Sequence, residues 1–276
     1  MKTTTCIFLF HLHTGDNFTF YGAVRHLQKM YRDVYIFCLY RNRHTIMQLY
    51  QPYDNVHIII SDENHGDHLA PISLVNQLIS KINNDFNLFI TGMYDRNFNH
   101  KIYFWEECYN VLGLSYKIRY DYEDINRNKE RELNLYNLIV SKYGEKYIFL
   151  HDHRSVKNKH HCDRGNVHVE SELPVFHPNI NYYSVGSTGS LALPPPPPEN
   201  NCSHYLWRSE FSTDNLLDYC TLIENATEIH IGDSSFSCLM PFLDLKNVKK
   251  KCIHTSLDVI GYHDDYINWE IVKRDS

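Results

Sequence analysis

The residues from Glu228 to Leu245, EIHIGDSSFSCLMPFLDL, change their period midway. Ile229 and Ile231 alternate with polar neighbours as in a short buried strand. After Gly232, Asp233, Ser234 and Ser235 the apolar Phe236, Leu239, Met240, Phe242 and Leu243 recur at helical spacing. The stretch is a strand, a tight turn and a helix start. Ser234 and Ser235 are good N-cap residues, and a helix N-terminus offers unpaired N–H groups and partial positive charge to a phosphate. Turns at the carboxyl ends of strands are where open α/β sheets bind ligands. The plainer alternative is a capped turn with no ligand, as any α/β protein owns.

Towards the N-terminus the same alternation repeats. Thr4–Leu12 reads as a first strand ending in the turn His13 to Asn17, and Phe20, Ala23, Val24, Leu27 and Met30 follow at helical spacing. Asp33–Tyr40 is a second strand, Val56–Ile60 a third and Phe86–Ile90 a fourth, with helices through Ile46–Tyr50 and Ile72–Ile82. Strands alternating with helices imply βαβ crossovers and a mostly parallel sheet. Phe104–Leu112 reads as an aromatic-rich helix, Tyr116–Tyr122 as extended, and Asn128–Tyr143 as an amphipathic helix with Leu133, Tyr136, Ile139 and Val140 on its apolar side.

The pattern then restarts with a strand at Tyr147–Leu150, ending in His151, Asp152, His153 and Arg154. Short strands are expected at Val167–Glu170 and within His177–Tyr183. Pro194–Pro198 are consecutive prolines that force polyproline II inside a loop over residues 184–203; a site for a proline-binding module is the sharper reading of that loop. A helix from Leu216 to Ile223 leads into Glu228, and a last strand near Lys251–His254 closes the chain. The fold class is α/β, with a first domain over residues 1–125, a connecting helix over 126–146 and a second domain over 147–276.

Composition narrows the function classes. The 276 residues are 43% hydrophobic, enough for two ordinary cores, and the net charge of −6 gives no general attraction to nucleic acid or anionic membrane. No run of about 20 apolar residues could span a bilayer, and the first apolar run, Cys6–Phe10, is too short for a secretory leader. Eight cysteines without a CxxC pair fit a reducing compartment, so a cytoplasmic location is expected.

Three polar turns stand at carboxyl ends of strands, and two facing α/β domains would open them onto one cleft. The first holds Gly15, Asp16 and Asn17; Asp16 is a carboxylate that could take a proton from a hydroxyl, or simply the N-cap of the first helix. The second begins at His151 and holds Arg154, Lys157 and Lys159, cations that suit a diphosphate or else form a solvated basic loop. The third is Gly232 to Ser235. His151, His153, His160, His161 and Cys162 could ligate zinc, but no second pair at finger spacing follows and no metal is assigned. No GxSxG elbow and no GxGxxG fingerprint are present, which argues against a serine hydrolase and against NAD or FAD.

These residues resemble a family. FLFHLHTGDNFTFYGAVRHL is similar to the opening of GT-B glycosyltransferases of the ADP-heptose:lipopolysaccharide heptosyltransferase type. LLDYCTLIENATEIHIGDSSFSCLMPFLDL is similar to their C-terminal donor-site segment. KYIFLHDHRS resembles the start of their C-terminal domain and the His-x-Arg turn of fucosyltransferase-like GT-B enzymes. The resemblance implies two Rossmann-like domains facing across a cleft, an N-terminal acceptor domain and a C-terminal donor domain. It implies Asp16 as base with Gly15 and Asn17 on the acceptor side. Arg154 with His151, Lys157 or Lys159 would meet the donor diphosphate, and Gly232, Asp233, Ser234 and Ser235 the donor phosphate or sugar. It further implies transfer from a nucleotide-sugar to a glycan or glycoconjugate hydroxyl, with no cofactor and no metal, in keeping with the lack of an Asp-x-Asp pair. A homo-oligomer stays open, as does an inert GT-B-like module that binds sugar, nucleotide or protein.

Overall fold

The computed structural model describes residues 4–62, 69–82, 85–95, 104–151, 173–177, 205–207, 213–232, 234–255, 266 and 268–273. The chain divides into two compact units, Met1–Asn126 and Arg127–Ser276.

In the first unit, β1 (Thr5–Leu9), β2 (Asp33–Leu39), β3 (Val56–Ser61) and β4 (Phe86–Ile90) form a parallel sheet in the order β3-β2-β1-β4. Between them run α1 (Thr14–Thr19), α2 (Tyr21–Met30), α3 (Arg43–Tyr50) and α4 (Leu69–Ile79), and α5 (Phe104–Val111) follows. Because β1 is covered on both faces, every residue of it is apolar or small and buried. On one face Ile7 and Leu9 join Leu12, Phe37 and Val75 in a core cluster. On the other, Phe8, Phe10 and Phe20 pack ring to ring with centroids 4.7 to 5.6 Å apart, and Phe20 stacks on Tyr109 of α5 at 5.8 Å.

The turn expected at His13 to Asn17 is mostly a short helix of its own, α1, and Phe20 at φ −90°, ψ 2° breaks the path between it and α2. Tyr116–Asp121, expected as extended, is a 3₁₀ helix instead, capped by the Ser115 side chain. α2 lies so close to it that a Cβ on Gly22 would stand 2.5 Å from Cα of Arg119. The unit is closed by its own tail: Tyr21 Oη donates to the Asp124 carbonyl at 2.7 Å, and Asn126 Nδ2 donates to the Gln48 carbonyl at 2.7 Å.

The second unit opens with α6 (Lys129–Tyr143), capped by the Asn128 side chain. β5 (Ile148–His151), β6 (Val175–His177), β7 (Tyr205–Trp207), α7 (Cys220–Glu224), β8 (Glu228–Gly232), α8 (Ser235–Leu239), β9 (Lys250–Thr255) and β10 (Glu270–Lys273) follow. The six strands are parallel in the order β10-β9-β8-β5-β6-β7. Numbered from β5, that is the Rossmann order 3-2-1-4-5-6 read backwards along the sheet. β6, β7 and β10 were not expected from sequence, since each is short and lacks clear alternation. The expected strands at Val167–Glu170 and beyond His177 lie outside the described residues, as does the proline-rich loop.

α6 departs from its expected face. Leu133 is 47% exposed, while the carboxylate of Glu132 is fully buried in its place. Arg127 explains the exchange: it bonds both Glu132 oxygens at 2.8 and 2.5 Å and both Glu224 oxygens at 2.5 and 2.8 Å, and Thr221 Oγ1 donates to Glu132 at 2.6 Å. A buried carboxylate so bonded is tolerated where an unpaired one would not be.

Candidate functional site

In each sheet the chain order reverses at one place, and the crevice beyond the strand ends at such a reversal is where open α/β sheets bind ligands. In the first unit the reversal lies between β1 and β4, in the second between β5 and β8.

At the end of β1 the backbone of His13 (φ −77°, ψ 160°) serves as N-cap of α1 with no side-chain bond, which corrects the alternative that Asp16 is the cap. Asp16 instead sits inside the first turn, and Gly15, Asp16 and Asn17 are all buried there. Asp16 is 6% exposed, and burial pushes its carboxyl up to about 7 against backbone hydrogen bonds from His13 and from Asp16 itself, which pull it down. His11 Nδ1 is 4.0 Å from Asp16 Oδ1. His11 also meets Tyr94 edge-on with ring centroids 6.1 Å apart. Tyr94 comes from the end of β4, where Thr91 N–H donates to the Leu9 carbonyl at 2.9 Å and Gly92 turns the chain with φ 64°. Its hydroxyl is raised to about 12, first by burial and then by the nearby Asp16 charge. A carboxyl poised near neutrality beside an imidazole and a phenol is suited to accept a proton from a hydroxyl.

Asn17 is held by its own amide, Nδ2 donating to the His13 carbonyl at 3.0 Å. Its Oδ1 is buried with no hydrogen-bond partner among the described residues, an acceptor that costs free energy unless something donates to it. Arg41, from the segment after β2, places Nη2 3.2 Å from His13 Nδ1 and brings a cation to the same strand end. His11, Arg41 and Tyr94 were missed in the sequence reading. The Gly92 turn after β4 is the signal that could have found Tyr94.

In the second unit β5 ends at His151 and β8 at Gly232, opposite ends of one reversal. Ser234 is the N-cap of α8, and Ser235 is the first helical residue rather than a cap. Ser234 Oγ accepts from Phe236 N–H at 3.2 Å, and Ser234 N–H donates to Ser237 Oγ at 3.2 Å, a reciprocal capping box that Ser237 completes. Ser234 Oγ also stands 3.1 Å from His151 Nδ1, so the second and third predicted turns do meet. His151 packs on Phe236 with centroids 4.6 Å apart, and Phe236 in turn packs edge-on against Phe149 and Tyr219. An aromatic bed thus fixes both rings of the strand end. Arg154, Lys157, Lys159 and Asp233, with His153, His160, His161 and Cys162, lie outside the described residues.

The fold and the two strand-end sites define an α/β protein of two parallel-sheet units. No family model and no curated protein matches the sequence. Among solved structures the chain is similar to a glycosyl transferase of family 9 from Veillonella parvula DSM 2008, at 10% identity over 92% of this chain and 80% of that one, TM-score 0.48. It is similar to the iron-containing dodecameric glycosyltransferase TibC from enterotoxigenic E. coli H10407, at 12% identity over 92% of this chain and 59% of that one, TM-score 0.44. It is also similar to the E. coli heptosyltransferase WaaC with ADP-2-deoxy-2-fluoro heptose, at 11% identity over 97% of this chain and 92% of that one, TM-score 0.42. Among the described residues no helix is long and apolar enough to cross a membrane.

Proposed function

We propose that the chain is a glycosyltransferase of GT-B architecture, its first unit binding a hydroxyl acceptor and its second a nucleotide-sugar donor. The observation that carries the reading is the state of Asp16: buried at the reversal of the first sheet, with its carboxyl raised to about 7. Asp16 takes the proton of the acceptor hydroxyl, the acceptor oxygen forms its bond to the anomeric carbon, and the bond from that carbon to the nucleoside diphosphate breaks. His11 and Tyr94 orient the carboxylate, while Gly15 and Asn17 line the acceptor side.

The leaving diphosphate gathers negative charge. In the second unit Arg154, Lys157 and Lys159, on the segment that follows His151, supply cations to it. Gly232, Asp233 and Ser234 shape the turn at the neighbouring strand end against the donor, and Ser235 adds its hydroxyl. His151, fixed by Ser234, sets the edge of that donor site. The nucleotide-sugar is a substrate, and the cations rather than a metal ion meet the phosphates. The acceptor is a glycan or glycoconjugate.

Calorimetry on two variants tests the assignment. Asp16→Asn should slow transfer by at least about a hundredfold while nucleoside-diphosphate affinity stays within about twofold, and Arg154→Ala should weaken that affinity by more than about tenfold, as loss of a charge-assisted bond does. Unchanged turnover in Asp16→Asn removes it from the mechanism. Nucleotide binding with no transfer in the unaltered chain would instead describe an inert sugar- or nucleotide-binding module.

A further inference from the structure

The sheet of the second unit carries a second polar cluster that the transfer chemistry does not use. In the β8–β9 register His230 stands opposite Cys252 and Gly232 opposite His254, and in the β9–β10 register Glu270 stands opposite Cys252. Residues two apart on a strand share a face, so Glu228, His230, Cys252, His254 and Glu270 lie on one face. Leu150 is opposite His230 and His151 opposite Ile231, so this is the face away from His151. His230, Cys252 and His254 are all buried. Their ligand atoms lie within 4.8 Å of one another, with His230 Nδ1 3.0 Å from His254 Nε2. Glu228 Oε2 is 3.4 Å from the other nitrogen of His230, and Glu270 Oε2 is 3.5 Å from Cys252 Sγ and 3.6 Å from Lys250 Nζ.

A buried parallel strand ordinarily presents valine, isoleucine or leucine on such a face. Here it presents two buried imidazoles and a buried thiol, flanked by the partly exposed Glu228 and the exposed Lys250 and Glu270. Bonds of about 2.0 to 2.3 Å to a tetrahedral ion set neighbouring ligand atoms roughly 3.3 to 3.8 Å apart, within small side-chain shifts of the separations seen. A metal-bound imidazole characteristically gives its other N–H to a carboxylate, and Glu228 is placed to accept it from His230. The mixed nitrogen and sulfur donors suit zinc and exclude the oxygen-seeking magnesium and calcium.

We propose that His230 Nδ1, Cys252 Sγ, His254 Nε2 and a carboxylate oxygen of Glu270 bind one zinc ion, with Glu228 as the positioning residue behind His230. Binding releases the Cys252 proton to solvent and leaves the thiolate as ligand. Four protein ligands make the site closed and structural. The ion pins β8, β9 and β10 together, and because His254 stands opposite Gly232 it braces the strand end that leads to Ser234.

The test is a cobalt(II) titration of the untagged, chelator-stripped full chain. One equivalent should give a thiolate-to-cobalt charge-transfer band and tetrahedral visible bands, both displaced by one equivalent of zinc. Cys252→Ser should lose the charge-transfer band, and Glu228→Gln should keep the spectrum while weakening cobalt affinity 10- to 100-fold, the usual cost of losing such a partner. In the unaltered chain zinc should slow alkylation of Cys252 at least tenfold and leave Cys238 unaffected, a readout that needs no variant to fold. A spectrum of free aquated cobalt alone, a charge-transfer band that survives Cys252→Ser, or equal alkylation with and without zinc would overturn the proposal. The second of these would move the ion to other ligands, such as His160, His161 and Cys162.

Discussion

The Ser234 hydroxyl lies 3.1 Å from Nδ1 of His151, joining the ends of the two strands between which the second sheet reverses. The same hydroxyl caps α8 through Phe236 N–H. Ser234→Ala should therefore cost about 1 to 2 kcal/mol, the loss of an N-cap and one further hydrogen bond. A double-mutant cycle with His151→Leu, read by urea denaturation, should show coupling of about 0.5 to 1.5 kcal/mol. Strict additivity would mean that the two side chains do not interact.

The raised carboxyl of Asp16 predicts a pH signature of its own. Its folded value of about 7 lies above the ordinary aspartate value, so the folded state keeps a proton that the unfolded chain has lost. The stabilisation is complete below about pH 4 and is lost as pH rises through 7, amounting to about 4 kcal/mol in all. Asp16→Asn should lose this dependence and gain on the native chain between pH 5 and pH 8. Transfer by the native chain should rise with pH through about 7 as the base loses its proton, and Asp16→Asn should lower kcat by about 10²- to 10⁴-fold. Melting curves and rate profiles over that range check both; a rate independent of pH would exclude Asp16 as the base.

Arg127 binds Glu132 and Glu224 together. Burial alone would raise the Glu132 carboxyl, but the bonds from Arg127 and Thr221 outweigh it and hold the group below its ordinary value. The stabilisation this gives is present above the unfolded glutamate value near 4.3 and is lost as pH falls through the lower folded value. Arg127→Met should cost about 3 kcal/mol near neutrality, because Glu132 then keeps only the Thr221 hydroxyl and the exposed Lys129 ammonium, 3.4 Å away, as partners. It should also flatten the acid limb of the stability curve. Urea midpoints between pH 3 and pH 7 report both effects.

Gly22→Ala separates local preference from packing. Alanine is favoured over glycine inside a helix by roughly 0.5 to 1 kcal/mol. At Gly22 the added Cβ would meet Cα of Arg119 at 2.5 Å and the Ile118 carbonyl oxygen at 2.7 Å, both backbone atoms that cannot swing aside. A net loss of at least about 1 kcal/mol is expected, and a rise in thermal midpoint would contradict that packing.

Much of this was legible in the sequence because parallel strands buried on both faces are short apolar runs bounded by polar turns, as Cys6–Phe10 and Ile148–Leu150 show. Asp16, His151 and Ser234 could be chosen because each follows such a run directly. Tyr94 and Arg41 could not, since their relevance depends on which strand lies beside β1, and the strand order is not local information. The same holds for His230, Cys252 and His254, whose meeting requires the β8–β9 register. Leu133 misled because helical periodicity marks an apolar stripe but cannot show that Arg127 will carry a carboxylate into the core. Tyr116–Asp121 read as extended because alternating aromatic and charged residues resemble a half-buried strand, whereas α2 packs against it as a 3₁₀ turn.

Nucleotide-sugar binding is tested most directly by a thermal-unfolding screen of the full chain against UDP-, GDP-, ADP- and CMP-sugars. A ligand that binds only the folded state raises the midpoint, and at 100 times its dissociation constant contributes about 2.7 kcal/mol. One nucleotide class should raise the midpoint by several degrees, a rise that survives Asp16→Asn but is lost in Arg154→Ala. No shift with any of the four at millimolar concentration would contradict a nucleotide-sugar site in the second unit.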